Sequence, residues 1–541
     1  PLERRAGEGM PSAELVAIGR GPQLREPFRI EALVGEKRLA AEVVRPAERT
    51  REWKSEVEYR STLRAGPLDV EVVSQYDCDG SMRIRLSYGS DEPAKVDGLE
   101  MLADIAGPVD TRVAEQTSGT FAGMSPSGGL EVALPGGEGV VWDSAETMAG
   151  GELYYSRFVP YMFFGSGDRA FLWICDSDRE WMVDKEGSTM SLERDEQGRV
   201  RWRVRFINHP VTVRGKRTIE FVIYVKPTRP KDPQYRKLAW FYGQYWDGSA
   251  TNNALPNDGP GGIDGSDVAM ELFRKRYPKR PPRLYINNWV NVGMPCLQKN
   301  AYTGEWLGNH QRVDSTPMDT TGKYGQPWTR PGKGNPRIEF GASWADLYTY
   351  HLERQIRLAG VQGWWWDETF PPFRTYCVAS GNAYFRDPEQ VEADELPYQS
   401  NFASLHARGL FKRLARIFTA NGVPNRTYLW ANNSAVMLEP YVWDTQLIEG
   451  ACAYINSYEI DNVRKYPISL FRYMSHTCSG LHARVTSNVA GEINAGDDTR
   501  VDRGILGRAL LHDIGCVPIG LVHTSEPLRG MAILHEFGYF E

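Results

Sequence analysis

Long hydrophobic runs are missing from this sequence. No stretch of its 541 residues approaches the roughly 18 consecutive apolar residues that a helical membrane span needs, so no span is expected. The N-terminus also lacks the basic segment and apolar run of a secretory leader. Because the first residue is Pro1, a leader removed from a secreted or periplasmic form stays open, and so does the cellular address. An excess of positive charge is missing too: 63 Lys and Arg against 69 Asp and Glu leave a formal charge of −6. With no basic field to hold a phosphate backbone, nucleic acid is not an expected partner.

Cysteine is sparse and dispersed. Cys78, Cys175, Cys296, Cys377, Cys452, Cys478 and Cys516 form no C-x-x-C pair, which reads as buried thiols rather than a disulfide framework or zinc site. A P-loop, a dinucleotide fingerprint between a strand and a helix, and a G-x-S-x-G elbow are all absent. His476, His482, His512, His523 and His535 form no H-E-x-x-H, and the oxygen-rich 259–267 loop lacks the alternating ligands of a calcium site. Neither a metal nor a cofactor is therefore expected. Oligomeric state has no signature in the sequence.

What is present divides into two patterns. From about residue 28 to 226, segments such as MRIRLSY (82–88), RVRWRVRFI (199–207) and TIEFVIYV (218–225) alternate polar and apolar residues. That period of two is what a sheet with one buried face requires. Turn-rich pieces such as LPGGEG (134–139) separate them, and the expectation is an antiparallel β-sandwich over 1–226. A Pro-rich, charged linker follows in VKPTRPKDPQ (225–234).

Beyond the linker, helical stretches precede short apolar runs. SWADLYTYHLERQIRLAG (343–360) offers Ser343 as N-cap, Asp346 in the first turn, Trp344, Leu347, Tyr348 and Ile356 along one face, and Gly360 as its stop. It leads into VQGWWWDE, short enough for a buried parallel strand. NFASLHARGLFKRLARIFTANG (401–422) precedes TYLWANN (427–433), and DRGILGRALLHDIG (502–515) precedes VPIGLVH (517–523). Repeated helix and strand units over 235–541 predict a (β/α)₈ TIM-type barrel. The whole is then a multidomain β and α/β protein, with 290–336 as a long loop over the barrel mouth.

In such a barrel, side chains at the C-terminal strand ends form the active site. GWWWDE places Asp367 and Glu368 at one of them. Two neighbouring carboxylates in a partly apolar pocket do not titrate alike, because desolvation and repulsion raise the pKa of one. Glu368 is then the protonated general acid and Asp367 the ionised partner. Trp364, Trp365 and Trp366 supply the apolar wall, or a platform for a pyranose ring. The plainer reading is a strand-end carboxylate that caps a helix or pairs with Arg374 or Arg386.

The Asp-Glu pair closing a strand after a Gly and bulky residues resembles glycoside hydrolase family 123, the β-N-acetylgalactosaminidases, and more distantly the family 20 hexosaminidases. The specific match spans about 361–370, with looser agreement across 280–541. The resemblance implies a β-sandwich followed by a (β/α)₈ barrel, a glycan substrate with terminal GalNAc, and a 2-acetamido group of the substrate acting as nucleophile. Carried over, it makes Glu368 the general acid/base and Asp367 the group that orients the acetamido N–H and stabilises an oxazolinium-like intermediate. Family members usually carry a further β-domain after the barrel, whereas this sequence stops at HEFGYFE.

Other strand ends offer sugar-binding groups. LYINNWV (284–290) presents Asn287, Asn288 and Trp289, and YLWANNS (428–434) presents Trp430, Asn432 and Asn433. Amides match the donor and acceptor pairs of sugar hydroxyls, and Trp their apolar face. In 447–461, Glu449 is a further carboxylate, and Tyr454 is the tyrosine preferred for the acetamido carbonyl that the resemblance requires. Two alternatives stand beside this reading. One is a retaining glycosidase with a protein nucleophile such as Glu449, acting on sugars without an acetamido group. The other is a non-catalytic carbohydrate-binding barrel in which the tryptophans only stack.

Overall fold

The computed structural model describes residues 16–17, 21–77, 80–115, 133–148, 156–166 and 169–227. Beyond them it describes 284–287, 346, 349–350, 353, 356–357, 364–367, 383–386, 398–401, 404–422, 429–432, 445–448, 482–486, 507, 510–512, 515–517, 533 and 536–537. Two compact units result, one of Pro1–Ser118, Leu130–Pro230 and Arg386–Asn401, the other of Gly119–Gly129, Lys231–Phe385 and Phe402–Glu541.

The first unit is built on two large antiparallel sheets. Its strands are β1 (Val16–Ala17), β2 (Gly21–Pro22), β3 (Arg29–Val34), β4 (Lys37–Ala40), β5 (Glu42–Glu52), β6 (Glu56–Ala65), β7 (Leu68–Asp77) and β8 (Ser81–Val96). They continue with β9 (Gly98–Asp104), β10 (Thr111–Glu115), β11 (Gly139–Asp143), β12 (Tyr161–Gly165), β13 (Ala170–Ile174), β14 (Met190–Arg194), β15 (Val200–Ile207) and β16 (Val211–Lys226). Eight strands pair in the order β10-β12-β13-β16-β8-β7-β6-β5, and six in the order β11-β14-β15-β9-β3-β4. One turn of helix, α1 (Ser144–Thr147), follows β11, capped where Asp143 accepts from the Ala145 N–H at 2.8 Å.

The period of two now has a partner surface. Trp202, Val204 and Phe206 of β15 are fully buried, while Arg201, just before Trp202 on the opposite face, is exposed. Their rings meet the other sheet: Trp202 lies 5.5 Å from Trp173 of β13 in a T-shaped pair and 4.9 Å from Phe164 of β12, and Phe206 lies 6.0 Å from Phe221 of β16. These contacts across the two sheets make the core of a sandwich.

Both ends of the β4–β5 segment are edges. β5 has hardly a covered residue along its length, and Val43 and Val44 are about half exposed. Pro46, alternating charges and three register shifts against β6 interrupt its ladder and guard it against strand addition. Where β8 meets β16, a bulge places Gly215 at a φ of +66°, and a Cβ on Gly89 would sit 2.3 Å from the Gly215 carbonyl oxygen. Gly89→Ala should therefore destabilise the sandwich by about 1–3 kcal/mol, the scale of overpacking, read from urea unfolding. An unchanged midpoint would refute the close approach.

The second unit carries β17 (Leu284–Asn287), β18 (Trp364–Asp367), β21 (Leu429–Asn432), β22 (Thr445–Ile448), β23 (His482–Thr486) and β24 (Gly515–Val517). These six form one sheet in chain order, every pair parallel. Two short strands, β19 (Ala383–Phe385) and β20 (Tyr398–Ser400), fall between β18 and β21 in sequence. The helix before β21, α2 (Ser404–Ala420), buries Leu410, Leu414 and Phe418 at fourfold spacing. It ends where Gly422 takes a φ of +69°. Residues 346, 349, 350, 353, 356 and 357 are helical too, with Ile356 buried. Arg413 reaches Asp346 (2.8 Å) and Thr349 (2.9 Å), and Arg357 reaches Asn421 (3.1 Å). The helix before β18 and the helix before β21 thus run side by side in the same direction, as crossovers between parallel strands require.

Three expectations change. The eight strands and closure of a (β/α)₈ barrel are not among the described residues, where the sheet has six strands. The 401–422 helix starts at Ser404, with Asn401 in an isolated bridge position. Gly515, the last residue of the helical stretch expected over 502–515, opens β24 instead, because a glycine before an apolar run serves equally as a strand residue. Trp344, Leu347, Tyr348 and the 290–336 loop lie outside the described residues. No helix among those described is long and apolar enough to cross a membrane.

Candidate functional site

Six parallel strands bring six C-terminal ends to one edge of their sheet, and open parallel sheets bind ligands at that edge. β18 ends at Asp367, in register with Asn287 at the end of β17. On the other side Trp366 pairs with Ala431 of β21, so the next step of that register sets Asp367 opposite Asn432. Asn432 pairs in turn with Leu447, Leu447 with Arg484, and Arg484 with Gly515. Asn287, Asp367 and Asn432 thereby occupy one row on adjacent strands, with Arg484 two strands further along the same row.

Two residues back lies a second row: Tyr285, Trp365, Trp430, Thr445 and His482. Residues two apart on a strand share a face, so Trp365 and Trp430 belong to the face of Asp367. Trp366 falls in the intervening row with Ile286, Ala431, Gln446 and Ala483. Of the residues proposed for sugar contact, the register thus gathers Asn287, Trp365, Trp430 and Asn432 around Asp367 and sets Trp366 on the alternate face. Glu368, Asn288, Trp289, Asn433, Glu449 and Tyr454 lie outside the described residues.

The sequence offered Asn287 beside Asn288 and Trp289, offered His482 only as a metal ligand, and held no reason to single out Arg484. The signal for the last was present in HARVT, a short alternating run, but its neighbours in the sheet are set by register and not by spacing. Among the described residues no group of three or more His, Cys, Asp or Glu side chains is arranged to hold a metal ion.

No protein-family model matches the chain, and none of the curated proteins matches it. Several solved structures are similar over parts of their length. A glucosidase II α subunit is 9% identical with a TM-score of 0.33, over 90% of this chain and 57% of its own. A β-arabinopyranosidase is 9% identical with a TM-score of 0.27, over 83% and 68%. A putative aldose 1-epimerase from Escherichia coli K12 is 9% identical with a TM-score of 0.22, over 38% and 89%. All three are named for action on sugars, and at these TM-scores no activity is carried over from them.

Proposed function

We propose that the chain is a glycoside hydrolase that releases terminal β-linked N-acetylgalactosamine by substrate-assisted retention. The observation that carries this is the position of Asp367, at the C-terminal end of a parallel strand and in one row with Asn287 and Asn432. The motif resemblance of 361–370 to family 123 supports the choice of sugar. In this reading the 1–226 part is a β-sandwich, and the parallel strands belong to a catalytic (β/α)₈ barrel within 235–541.

The acetamido oxygen of the substrate attacks the anomeric carbon as the glycosidic C–O bond breaks. Glu368 gives its proton to the departing oxygen. Asp367 holds the acetamido N–H and balances the positive charge of the oxazolinium ion that forms. Water then attacks the anomeric carbon from the face the leaving group vacated, the bond from that carbon to the acetamido oxygen breaks, Glu368 takes the water's proton, and the configuration is retained. Trp365 and Trp430 offer stacking surfaces, and Asn288, Trp289, Asn432, Glu449 and Tyr454 complete the proposed contacts to the sugar, while Trp366, on the alternate face, is left out of them.

Chromogenic β-GalNAc, β-GlcNAc and β-galactose substrates test the reading side by side. Release from β-GalNAc, with inhibition by a thiazoline mimic of the cyclised intermediate, is expected. Release from β-galactose, with covalent labelling by a fluoro-sugar, would move the nucleophile onto a protein carboxylate such as Glu449 and overturn it.

A further inference from the structure

The face of the six-stranded sheet that points away from the sandwich core is charged. Arg203 and Glu100 on this face are nearly as buried as core residues, 9% and 6% exposed. They pair with each other, Glu100 also with Arg38 at 2.8 Å and Arg203 with Glu193 at 2.8 Å. At one end of this face opens a cavity of about 560 Å³, within the roughly 300–1,000 Å³ of small-molecule sites. It lies entirely in the first compact unit and does not depend on the role of Asp367.

Arg25, Arg29, Asp104, Glu193, Arg194 and Arg201 are among the charged residues of its wall, where five arginines face five carboxylates. Asp104 bridges Arg29 (2.9 Å) and Arg201 (2.8 Å). Burial pushes the Asp104 carboxyl up, but hydrogen bonds from Arg201 and Arg29 outweigh it and hold it below its ordinary range. Burial against the hydrogen bond from Arg203 gives Glu193 the same net direction. Both carboxylates therefore stay ionised as acceptors.

Arg25 and Arg194 differ. Arg25 donates from Nε to the Ile105 carbonyl at 3.1 Å, and Arg194 donates to the carbonyls of Val109 (3.0 Å) and Pro135. Among the described residues neither pairs with a carboxylate. Carbonyls hold these guanidinium groups in place without neutralising them. Glu26, Glu138, Asp195 and Arg199 also line the cavity; Arg29 holds Glu26, Arg199 holds Asp195 and Arg203 holds Glu193, which leaves Arg25 and Arg194 as the lining cations that an anionic group of a ligand can answer. No aromatic ring lines the space, so stacking on a neutral sugar is not available.

We infer that this cavity is a binding site for a uronic acid, a sugar ring bearing a single carboxylate. Arg25 and Arg194 take the carboxylate, and the ring hydroxyls, which both donate and accept, meet Asp104, Glu193 and Arg201. A carboxylate suits the site because its two oxygens match the planar fork of a guanidinium.

Calorimetric titration of the full chain with D-glucuronate, D-glucose, acetate and inorganic sulfate tests the assignment. Glucuronate should bind saturably, and glucose and both simple anions about tenfold or more weakly, the scale of one charge-assisted hydrogen bond. The Arg25→Gln/Arg194→Gln double variant should lose glucuronate binding by a similar factor while keeping its unfolding midpoint. Equal binding of acetate or sulfate would overturn the sugar, equal binding of glucose would overturn the role of the guanidinium groups, and no saturable glucuronate binding would overturn the site. Should the double variant fail to fold, the unaltered chain decides: glucuronate affinity should fall severalfold from low to high ionic strength, and a flat response refutes the assignment.

Discussion

Asp367→Asn is expected to lower kcat for a β-GalNAc substrate by roughly 10²–10³-fold, the cost of losing one preorganised electrostatic contact to a charged intermediate. Asparagine keeps the shape of aspartate but neither its charge nor its capacity to accept from the acetamido N–H with both oxygens. The loss should fall on kcat more than on KM, because the charge it balances exists only after the ring closes. Glu368→Gln should behave differently. With an alkyl leaving group the loss should reach roughly 10²–10⁴-fold, whereas a nitrophenolate leaves without a proton and should be spared most of it. A strand-end carboxylate that merely caps a helix or pairs with an arginine predicts the opposite pattern: a lower unfolding midpoint and one common factor for every leaving group. Steady-state kinetics on an alkyl and an aryl glycoside, with thermal unfolding of each variant, separates the two. Full activity in both variants would end the assignment.

The parts of this fold that were legible in sequence are those whose neighbours are decided locally. RVRWRVRFI shows its buried face because an antiparallel strand with one wet side alternates, and Trp202, Val204 and Phe206 are the buried set. β5 resisted the same reading, since EVVRPAERTRE is exposed on both faces and has no apolar side to reveal. The arginines of β15 were legible as polar but not as buried. Arg203 owes its burial to Glu100, which is 103 residues away in sequence, and no spacing rule reaches that far. The candidate site divides in the same way. WWWD was recognisable as a parallel strand from its length and its preceding helix, but which residues flank Asp367 is a matter of register between strands up to 80 residues apart. Many of the chain's aromatic residues were open to either a core or a sugar-stacking reading; Trp173 and Trp202 are core.

Trp202→Ala should be the most damaging single change in the sandwich, at about 3–5 kcal/mol, the range for truncating a buried tryptophan. Its side chain is fully buried and touches Phe28, Phe164, Phe171 and Trp173, so an alanine leaves a void walled by rings that cannot collapse into it. Set against the 5–15 kcal/mol or so that stabilises a domain, such a loss places the sandwich near its unfolding threshold. Phenylalanine distinguishes packing from hydrogen bonding at the two central tryptophans. Trp173 Nε1 donates to the Val159 carbonyl at 2.8 Å, whereas Trp202 Nε1 is buried and finds no acceptor among the described residues. Trp173→Phe strands a buried carbonyl and should cost about 1–3 kcal/mol beyond the lost volume. Trp202→Phe removes a donor that is already unsatisfied, and the relief offsets part of the void. In chemical denaturation followed by near-UV circular dichroism, Trp173→Phe should therefore be the less stable of the two phenylalanine variants; the reverse order would refute this account of the core.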